Sequence, residues 1–446
     1  AMQGGCTCEN ASLLRIGTGN VEFAALFAPK PQGMNTADDW TKEMATKGFP
    51  ELRRLYALLG REDDVALQRG EHFPHNYNAV SRSGFCTFLN RHFRLGHESP
   101  VVERDYEPLA RGQLTVWDAT HPAPPAGDPA FEQRLVQWLT DDAARQIEAE
   151  AATPEGRERT LLPAVEVLVG RTLADAGTVA WEAGEKTEAD GRLRIQGVLH
   201  NRTQREEVPV RWLHPRDWKG DVVIWLDGTG RRGIEDAAGR PIGPVAGLLA
   251  AGATVVGADL FRQTDPAPVA NRLVANPRPA AAYTYGYNHT LFAQRAHDIL
   301  TLLSFLRTGD TEGRPRPRRI MVAAFGEAAP IAAAAAAVSG DAIARLALDT
   351  GGFRFANLTD WRDAMFLPGG AKYLDLPGLL SLRAPRPLWL AASRYHFRAS
   401  AKFCVITVPA SYIAPRLNCA PECPASAAFA VQRIASLGFL GAPFPE

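Results

Sequence analysis

Continuous apolar runs separated by helix-like segments recur along most of this chain. Residues 193–199 and 208–213 alternate apolar with charged positions, which predicts a hairpin of two half-buried strands. Other runs are almost wholly apolar, as is typical of strands buried on both faces of a parallel sheet; they lie at residues 222–226, 253–257, 320–324, 346–349 and 387–390. An alanine-rich helix is expected at residues 330–338. The pattern predicts an α/β fold with helices flanking a mostly parallel sheet.

A short repeat marks two places where similar elements are expected. Ala28-Pro29-Lys30-Pro31 near the start resembles Ala384-Pro385-Arg386-Pro387 near the end. Each copy follows an apolar run and precedes a segment suited to form a strand. The first copy leads to Asp38 and Asp39, whereas residues 391–395 after the second copy include no carboxylate. We interpret the chain as two related units that are unequally equipped for chemistry.

Three segments follow from this interpretation. Residues 1–118 form the first unit. Residues 119–158 are a connector with a helix, which the apolar face of residues 129–152 predicts. Residues 159–446 form a second, degenerate unit that ends in an irregular basic tail.

Local patterns within the first unit are less regular. Residues 51–59 and 81–93 have helical patterns. The apolar run at residues 52–59 is also interpreted as the strand that precedes His75, and residues 114–117 as a short strand.

Composition limits the classes of partner. With 446 residues, of which 46% are hydrophobic, the chain can bury substantial cores. The 49 basic and 49 acidic residues cancel, so overall charge favours neither nucleic acid nor an anionic membrane. Apolar stretches are too short for a membrane span, and residues 1–20 do not resemble a signal peptide. The six cysteines lack paired zinc-ligand spacing. We expect no metal and no cofactor, since the serine-type chemistry considered below needs neither.

The turn after residues 320–324 is where an α/β-hydrolase would carry its nucleophile, in a G-x-S-x-G pattern. Here the turn is Gly326-Glu327-Ala328, with alanine at the middle position of the pattern, and the chain contains no intact G-x-S-x-G. We interpret it as a degenerate nucleophile turn; Glu327 as a carboxylate nucleophile is the alternative. Gly228 and Thr229 follow the strand that supplies an oxyanion-hole amide in this architecture, although they also fit an ordinary turn.

The N-terminal segment carries the better candidates. Asp38 and Asp39 follow one predicted strand, and His75 follows the next, which is the order of acid and base in an α/β-hydrolase. The carboxylate would hold the imidazole in the tautomer that accepts a proton from serine. We expect His289 and His297, by contrast, to be ordinary polar residues of a helix that begins near Tyr287.

These motifs resemble a known family. The run through Asp38-Asp39-Trp40-Thr41 to His75-Asn76-Tyr77-Asn78 resembles the C-terminal half of bacterial acetylxylan-esterase-like α/β-hydrolases, relatives of the glucuronoyl and acetyl carbohydrate esterases. The resemblance covers about the first 118 residues and implies Asp39 as acid, with Asp38 second, and His75 as base. It also implies a secreted or periplasmic location.

Residues 160–395 resemble a second, diverged hydrolase unit. Carried over, Ala328 stands at the nucleophile position and Arg394 or Tyr395 at the acid position, so we expect this unit to be inactive alone. The nucleophilic serine is then missing from the chain. Either an upstream segment or a second subunit carries it, or a rearranged molecule brings Asp39 and His75 to the Ala328 turn.

The expected function is therefore a serine-type carboxylic ester hydrolase of the carbohydrate-esterase kind. Its expected partner is an ester substrate, such as an acylated polysaccharide, with no nucleic acid and no membrane span. The alternative is a non-catalytic pseudohydrolase that acts as a scaffold or a saccharide-binding module. Trp225, Trp361 and Trp389 are possible stacking surfaces for a sugar, although a place in the core is the simpler expectation.

Overall fold

A computed structural model describes residues 11–123, 127–128, 130–265, 269–271, 281–308, 315–392 and 402–406. The chain divides into two compact units. Unit 1 comprises Ala1–Val136 and Val274–Asn288, and unit 2 comprises Gln137–Leu273 and His289–Glu446. The interpretation of residues 1–118 as part of a first hydrolase unit, and of residues 119–158 as a connector, stays a prediction.

The elements are numbered in chain order. The helices are α1 (Asn20–Ala25), α2 (Phe49–Leu58), α3 (Ala79–Phe93), α4 (Arg111–Leu114), α5 (Phe131–Ala151), α6 (Pro154–Gly156), α7 (Leu162–Val169), α8 (Gly243–Ala250), α9 (Ala281–Tyr285), α10 (Leu291–Thr308), α11 (Ala328–Ala337) and α12 (Asp375–Ser381). The strands are β1 (Gln32–Asn35), β2 (Val65–Gln68), β3 (Val179–Ala189), β4 (Arg192–Asn201), β5 (Glu206–Pro215), β6 (Asp221–Leu226), β7 (Ala253–Ala258), β8 (Arg319–Phe325), β9 (Arg345–Asp349), β10 (Leu388–Ala392) and β11 (Lys402–Ile406).

Unit 1 contains a small parallel sheet. Strands β1 and β2 pair in parallel, with Gln32 opposite Val65 and Asn35 opposite Gln68. Helices α1 and α2 pack together beside this sheet around four buried residues, Met44, Leu52, Tyr56 and Val65. The Tyr56 hydroxyl donates to the Lys30 carbonyl at 2.6 Å, which ties α2 to the turn before β1.

Two expectations for unit 1 are wrong. Of residues 52–59, interpreted as the strand before His75, positions 52–58 belong to helix α2 and Leu59 caps it. Their buried residues, Leu52 and Tyr56, lie four positions apart and therefore share one face of a helix, and Pro50 is accommodated in the first turn. The strand before His75 is β2, and residues 114–117 form no strand.

Unit 2 is built on one large sheet. Within the described residues the strand order is β11-β10-β9-β8-β6-β7-β5-β4-β3. The five central strands, β10, β9, β8, β6 and β7, are mutually parallel. Strands β5, β4 and β3 continue the sheet as an antiparallel meander at one edge, and β11 pairs antiparallel with β10 at the other. This is the mostly parallel, α/β-hydrolase-like fold that the sequence pattern predicts.

The central strands are continuous apolar runs because both faces of the sheet are covered. Every residue of β6 and β7 is buried. Helix α11 is buried along its whole length, and its alanines let it approach β8 closely. The predicted hairpin of β4 and β5 is also confirmed. Of the described helices, none combines the length and the apolar character that a membrane span needs.

The repeat seen in the sequence recurs in the structure. In the first copy, helix α1 and a turn lead into β1, and in the second, helix α12 and a turn lead into β10. The Ala28–Pro29 and Ala384–Pro385 peptide bonds are both cis. Each strand begins directly after the last proline of its copy, and each pairs in parallel with a neighbour.

We expect Ile224→Ala to destabilise unit 2 strongly, because Ile224 is fully buried on the central strand β6. Truncation of a buried Ile costs about 2–5 kcal/mol of the free energy of unfolding. Chemical denaturation of the full chain measures this loss. Val167→Ala, at a site that is 61% exposed, is the control and should change stability by less than about 0.5 kcal/mol. Equal losses in the two variants would contradict the assignment of β6 to the core.

Candidate functional site

Two loops at one end of the small sheet in unit 1 carry the candidate acid and base. The first loop follows β1 and the second follows β2, and parallel strands deliver such loops to the same edge. Three contacts join them. Thr36 donates its N–H to the Gln68 carbonyl at 3.0 Å and accepts from the Gly70 N–H through its hydroxyl at 3.1 Å, and Asp38 donates its N–H to the Phe73 carbonyl at 2.8 Å.

Gly70 permits the close approach of these loops. A Cβ atom added at Gly70 would lie 2.6 Å from the Thr36 carbonyl oxygen. Such a contact is shorter than any that real Cβ atoms make, and the atom in the way belongs to the backbone. The absence of a side chain at this position is therefore part of what places the second loop beside the first.

The two loops bring Asp39 and His75 into direct contact. The Asp39 Oδ2 and His75 Nδ1 atoms lie 2.6 Å apart. The second oxygen of the carboxylate, Oδ1, accepts from the N–H of Thr41 at 2.7 Å and from its hydroxyl at 2.6 Å. With Nδ1 facing a carboxylate, the imidazole carries its proton there and leaves Nε2 as the atom able to accept another.

Solvent exposure differs sharply between the two partners. The Asp39 side chain is 8% exposed, whereas the His75 side chain is 65% exposed. Burial raises the pKa of Asp39, but hydrogen bonds from His75 and Thr41 outweigh it and hold the pKa below its ordinary value. The carboxylate is thus ionised and held by these hydrogen bonds, while the imidazole is exposed to solvent. The indole of Trp40 lies against it, with ring centroids 4.7 Å apart.

Asp38, the second candidate for the acid, is placed differently. Its side chain is 63% exposed and lies 3.6 Å from the Lys42 ammonium group. Its backbone N–H serves the loop contact with Phe73. Of the two aspartates, the structure brings Asp39 to His75.

In unit 2, the candidate oxyanion loop and the candidate nucleophile turn lie at the same edge of the large sheet. Strands β6 and β8 are neighbouring parallel strands, with Leu226 opposite Ala324. Gly228 and Thr229 follow β6. The Thr229 N–H donates to the Asp227 carboxylate at 2.8 Å, so this amide is engaged within its own turn. Gly228 is exposed.

The turn after β8 is sharp. Gly326 has a positive φ of 58° and donates its N–H to the Asp349 carbonyl at 2.9 Å. Glu327 is exposed, whereas Ala328 begins helix α11 and is fully buried. The position named as nucleophile by the resemblance, Ala328, therefore faces the core.

Two candidate histidines and two candidate tryptophans of unit 2 pack within the protein. His297 is buried and its Nε2 contacts the Val169 carbonyl at 2.6 Å; burial, with the nearby charge of Arg171, lowers the pKa of His297 to about 3. His289 packs edge-on against it, at 5.1 Å between ring centroids. Trp225 and Trp389 are buried in the core of unit 2. Arg394 and Tyr395 lie outside the described residues. Among the residues that are described, no group of three or more His, Cys, Asp or Glu could hold a metal ion.

Several residues that hold Asp39 and His75 in place do not stand out in the sequence. Thr41 and Thr36 are the main ones, since each bonds across or within the loops. The D-x-T spacing of Asp39 and Thr41 is the signal that could have found Thr41, because side chains two positions apart in a turn often bond to one carboxylate. Thr36 and Gly70 have no comparable signal, since their contact joins positions 34 residues apart.

Comparison with known proteins adds the following. No family model matches the sequence, and no curated protein matches it. Solved structures that are similar include a glucuronoyl esterase from Solibacter usitatus, at 11% identity and a TM-score of 0.39 over 53% of this chain and 75% of that one. An acetyl xylan esterase from Thermoanaerobacterium sp. has 11% identity and a TM-score of 0.34 over 51% and 75%. One from Paenibacillus sp. has 11% identity and a TM-score of 0.33 over 52% and 77%.

The three structures named here are esterases. The strand order of unit 2 and the parallel pairing of its central strands are by themselves those of an α/β-hydrolase-like fold. The function proposed below rests on the geometry of unit 1.

The pKa of Asp39 predicts a pH dependence of stability. Because it lies below the unfolded value of about 3.9, the stabilisation from the ionised carboxylate is fully present above that pH. It is lost as the pH falls through the lower, folded-state value. We expect Asp39→Asn to be less stable than the wild type at pH 6 and the gap to narrow as the pH falls below the unfolded value of about 3.9.

Hydrogen exchange of unit 1 peptides between pH 2 and pH 6, corrected for intrinsic rates, measures this gap. Asp38→Asn is the matched control, since it removes a neighbouring carboxylate that lies beside Lys42. A constant gap between the wild type and Asp39→Asn across this range would contradict the account.

Proposed function

We propose that this chain carries the acid and base of a serine-type carboxylic ester hydrolase. Asp39 is the acid and His75 is the base. The observation that supports this most is the 2.6 Å contact between Asp39 Oδ2 and His75 Nδ1, with the other carboxylate oxygen held by Thr41. It fixes the carboxylate and leaves the outer nitrogen of the imidazole in solvent.

The chemistry proceeds by acyl transfer. A serine hydroxyl attacks the ester carbonyl while His75 Nε2 takes its proton, and Asp39 stabilises the imidazolium that forms. The carbon–oxygen bond to the alcohol breaks, and Nε2 returns the proton to the departing alcohol. Water then attacks the acyl group by the same route, which releases a carboxylic acid and regenerates the serine.

The serine is the part for which this chain offers no candidate turn. The chain has no G-x-S-x-G, and Ala328 has neither a hydroxyl nor access to solvent. We propose that the serine lies on a polypeptide segment outside these residues or on a second subunit. The substrate is a carboxylic ester, and the sequence resemblance favours an acylated polysaccharide.

A pair of this kind predicts weak hydrolysis of an activated ester without a serine, because His75 can take a proton directly from attacking water. General-base catalysis contributes about 100-fold or more. We expect full-chain hydrolysis of 4-nitrophenyl acetate to fall at least about tenfold in His75→Ala and in Asp39→Asn. His72→Ala is the matched control, since the His72 ring packs at a tilt against Phe73 in the same loop, whereas the Asp39 carboxylate bonds to His75 and Thr41. A rate that survives both substitutions would contradict the proposal.

The second candidate is a pseudohydrolase, a non-catalytic scaffold or saccharide-binding module. It is favoured by the nucleophile turn of unit 2, where neither Gly326 nor Ala328 can attack an ester. Burial of Trp225 and Trp389 removes both from the possible sugar-stacking surfaces. Saturable binding of xylo-oligosaccharides, with no hydrolysis above that of His75→Ala, would support this candidate over the esterase.

A further inference from the structure

The turn between β8 and α11 determines which residue of unit 2 stands where a hydrolase presents its nucleophile. Such a nucleophile sits on the sharp turn from strand to helix, so that its side chain is exposed above the sheet. Two positions compete for this place, Gly326 and Ala328. The backbone, the burial and the spacing of small residues distinguish them.

The backbone favours Gly326. Strand β8 ends at Phe325, and Gly326 is the next residue and the one with a positive φ, 58°. Its N–H donates to the carbonyl of Asp349, the last residue of the neighbouring strand β9. Position 326 is therefore the corner of the turn, fixed at the edge of the sheet. Ala328 comes two residues later and already belongs to the helix.

Burial points the same way. Gly326 is exposed, and a Cβ atom added there would meet no atom within 4 Å. Ala328 is fully buried. A side chain at position 326 would thus stand in solvent at the carboxyl edge of the sheet, where ligands bind in open α/β folds. A larger side chain at position 328 would be forced into the core.

The spacing of small residues agrees with both observations. In G-x-S-x-G the small residues two positions on either side of the nucleophile let the strand and the helix pack closely. Centred on position 326, the pattern is Ala324-Phe325-Gly326-Glu327-Ala328, and both flanking alanines are fully buried. Centred on position 328, it would place Pro330 at one of the small positions.

We infer that Gly326, not Ala328, occupies the nucleophile position of unit 2, which has kept the acyl-transfer turn and replaced its reactive side chain with a hydrogen atom. One side chain introduced at position 326 would then face an ester substrate beside the Gly228 loop. The inference concerns unit 2 alone. It does not depend on the roles proposed for Asp39 and His75.

Cysteine substitution in the full chain tests this. Exposed thiols react and buried thiols are inert, so in Gly326→Cys we expect alkylation of position 326 by iodoacetamide at least about tenfold faster than alkylation of position 328 in Ala328→Cys. Peptide mass mapping separates these sites from the native cysteines, and unfolded samples set the rate without burial. Glu327→Cys is the matched control, an exposed neighbour that should react freely.

The same variants test acyl transfer. With 4-nitrophenyl acetate, the thiolate at position 326 should attack the carbonyl, release 4-nitrophenolate and retain the acetyl group as a thioester, which peptide mapping locates. Faster alkylation or acylation at position 328 in the folded protein would overturn the inference.

If Gly326→Cys does not fold, the melting temperatures of two other variants test the same inference. Asn tolerates a positive φ, so Gly326→Asn should lower the melting temperature less than Ala328→Leu, which overpacks the core. The opposite order would overturn the inference as well.

Discussion

The hydrogen bond between Asp39 and His75 is the contact on which the account of this protein depends. It joins two residues, 36 positions apart in sequence, that lie on different loops. The contact requires the parallel pairing of β1 and β2, the hydroxyl of Thr41 on the other carboxylate oxygen, and the missing side chain of Gly70. Loss of any of these would remove part of what holds Asp39 against His75.

The two units carry different candidate features. Unit 1 holds a carboxylate and an imidazole on a sheet of two short strands. Unit 2 holds a large sheet, an exposed Gly228 loop and a sharp turn at Gly326, where neither Gly326 nor Ala328 has a hydroxyl or thiol. A helix, a turn and a strand recur around Pro31 in unit 1 and around Pro387 in unit 2.

The central strands of unit 2 could be predicted from the sequence, because a strand that is buried on both faces consists of consecutive apolar residues. Prediction failed where burial is partial. Strand β2 has four residues, and three of them are half-buried, so its apolar pattern is weak. The run at residues 52–59 is longer and therefore resembles a strand, although the spacing of Leu52 and Tyr56 is that of a helix. Strand β3 is exposed along most of its length and gave no signal. The apolar face of α5 predicted a helix correctly, yet Phe131 and Trp138 remain exposed.

The order of the motifs along the chain predicted that Asp39 and His75 lie near each other, and the structure has them in contact. The contact between Thr36 and Gly70 that supports them joins distant positions, so no local pattern predicts it.

The most direct measurement is the tautomer of His75, from long-range proton–nitrogen correlations in the NMR spectrum of the full chain at a pH where the ring is neutral. The account predicts a proton on Nδ1 and a bare Nε2, with this preference lost in Asp39→Asn. A proton on Nε2 in the wild type would contradict it.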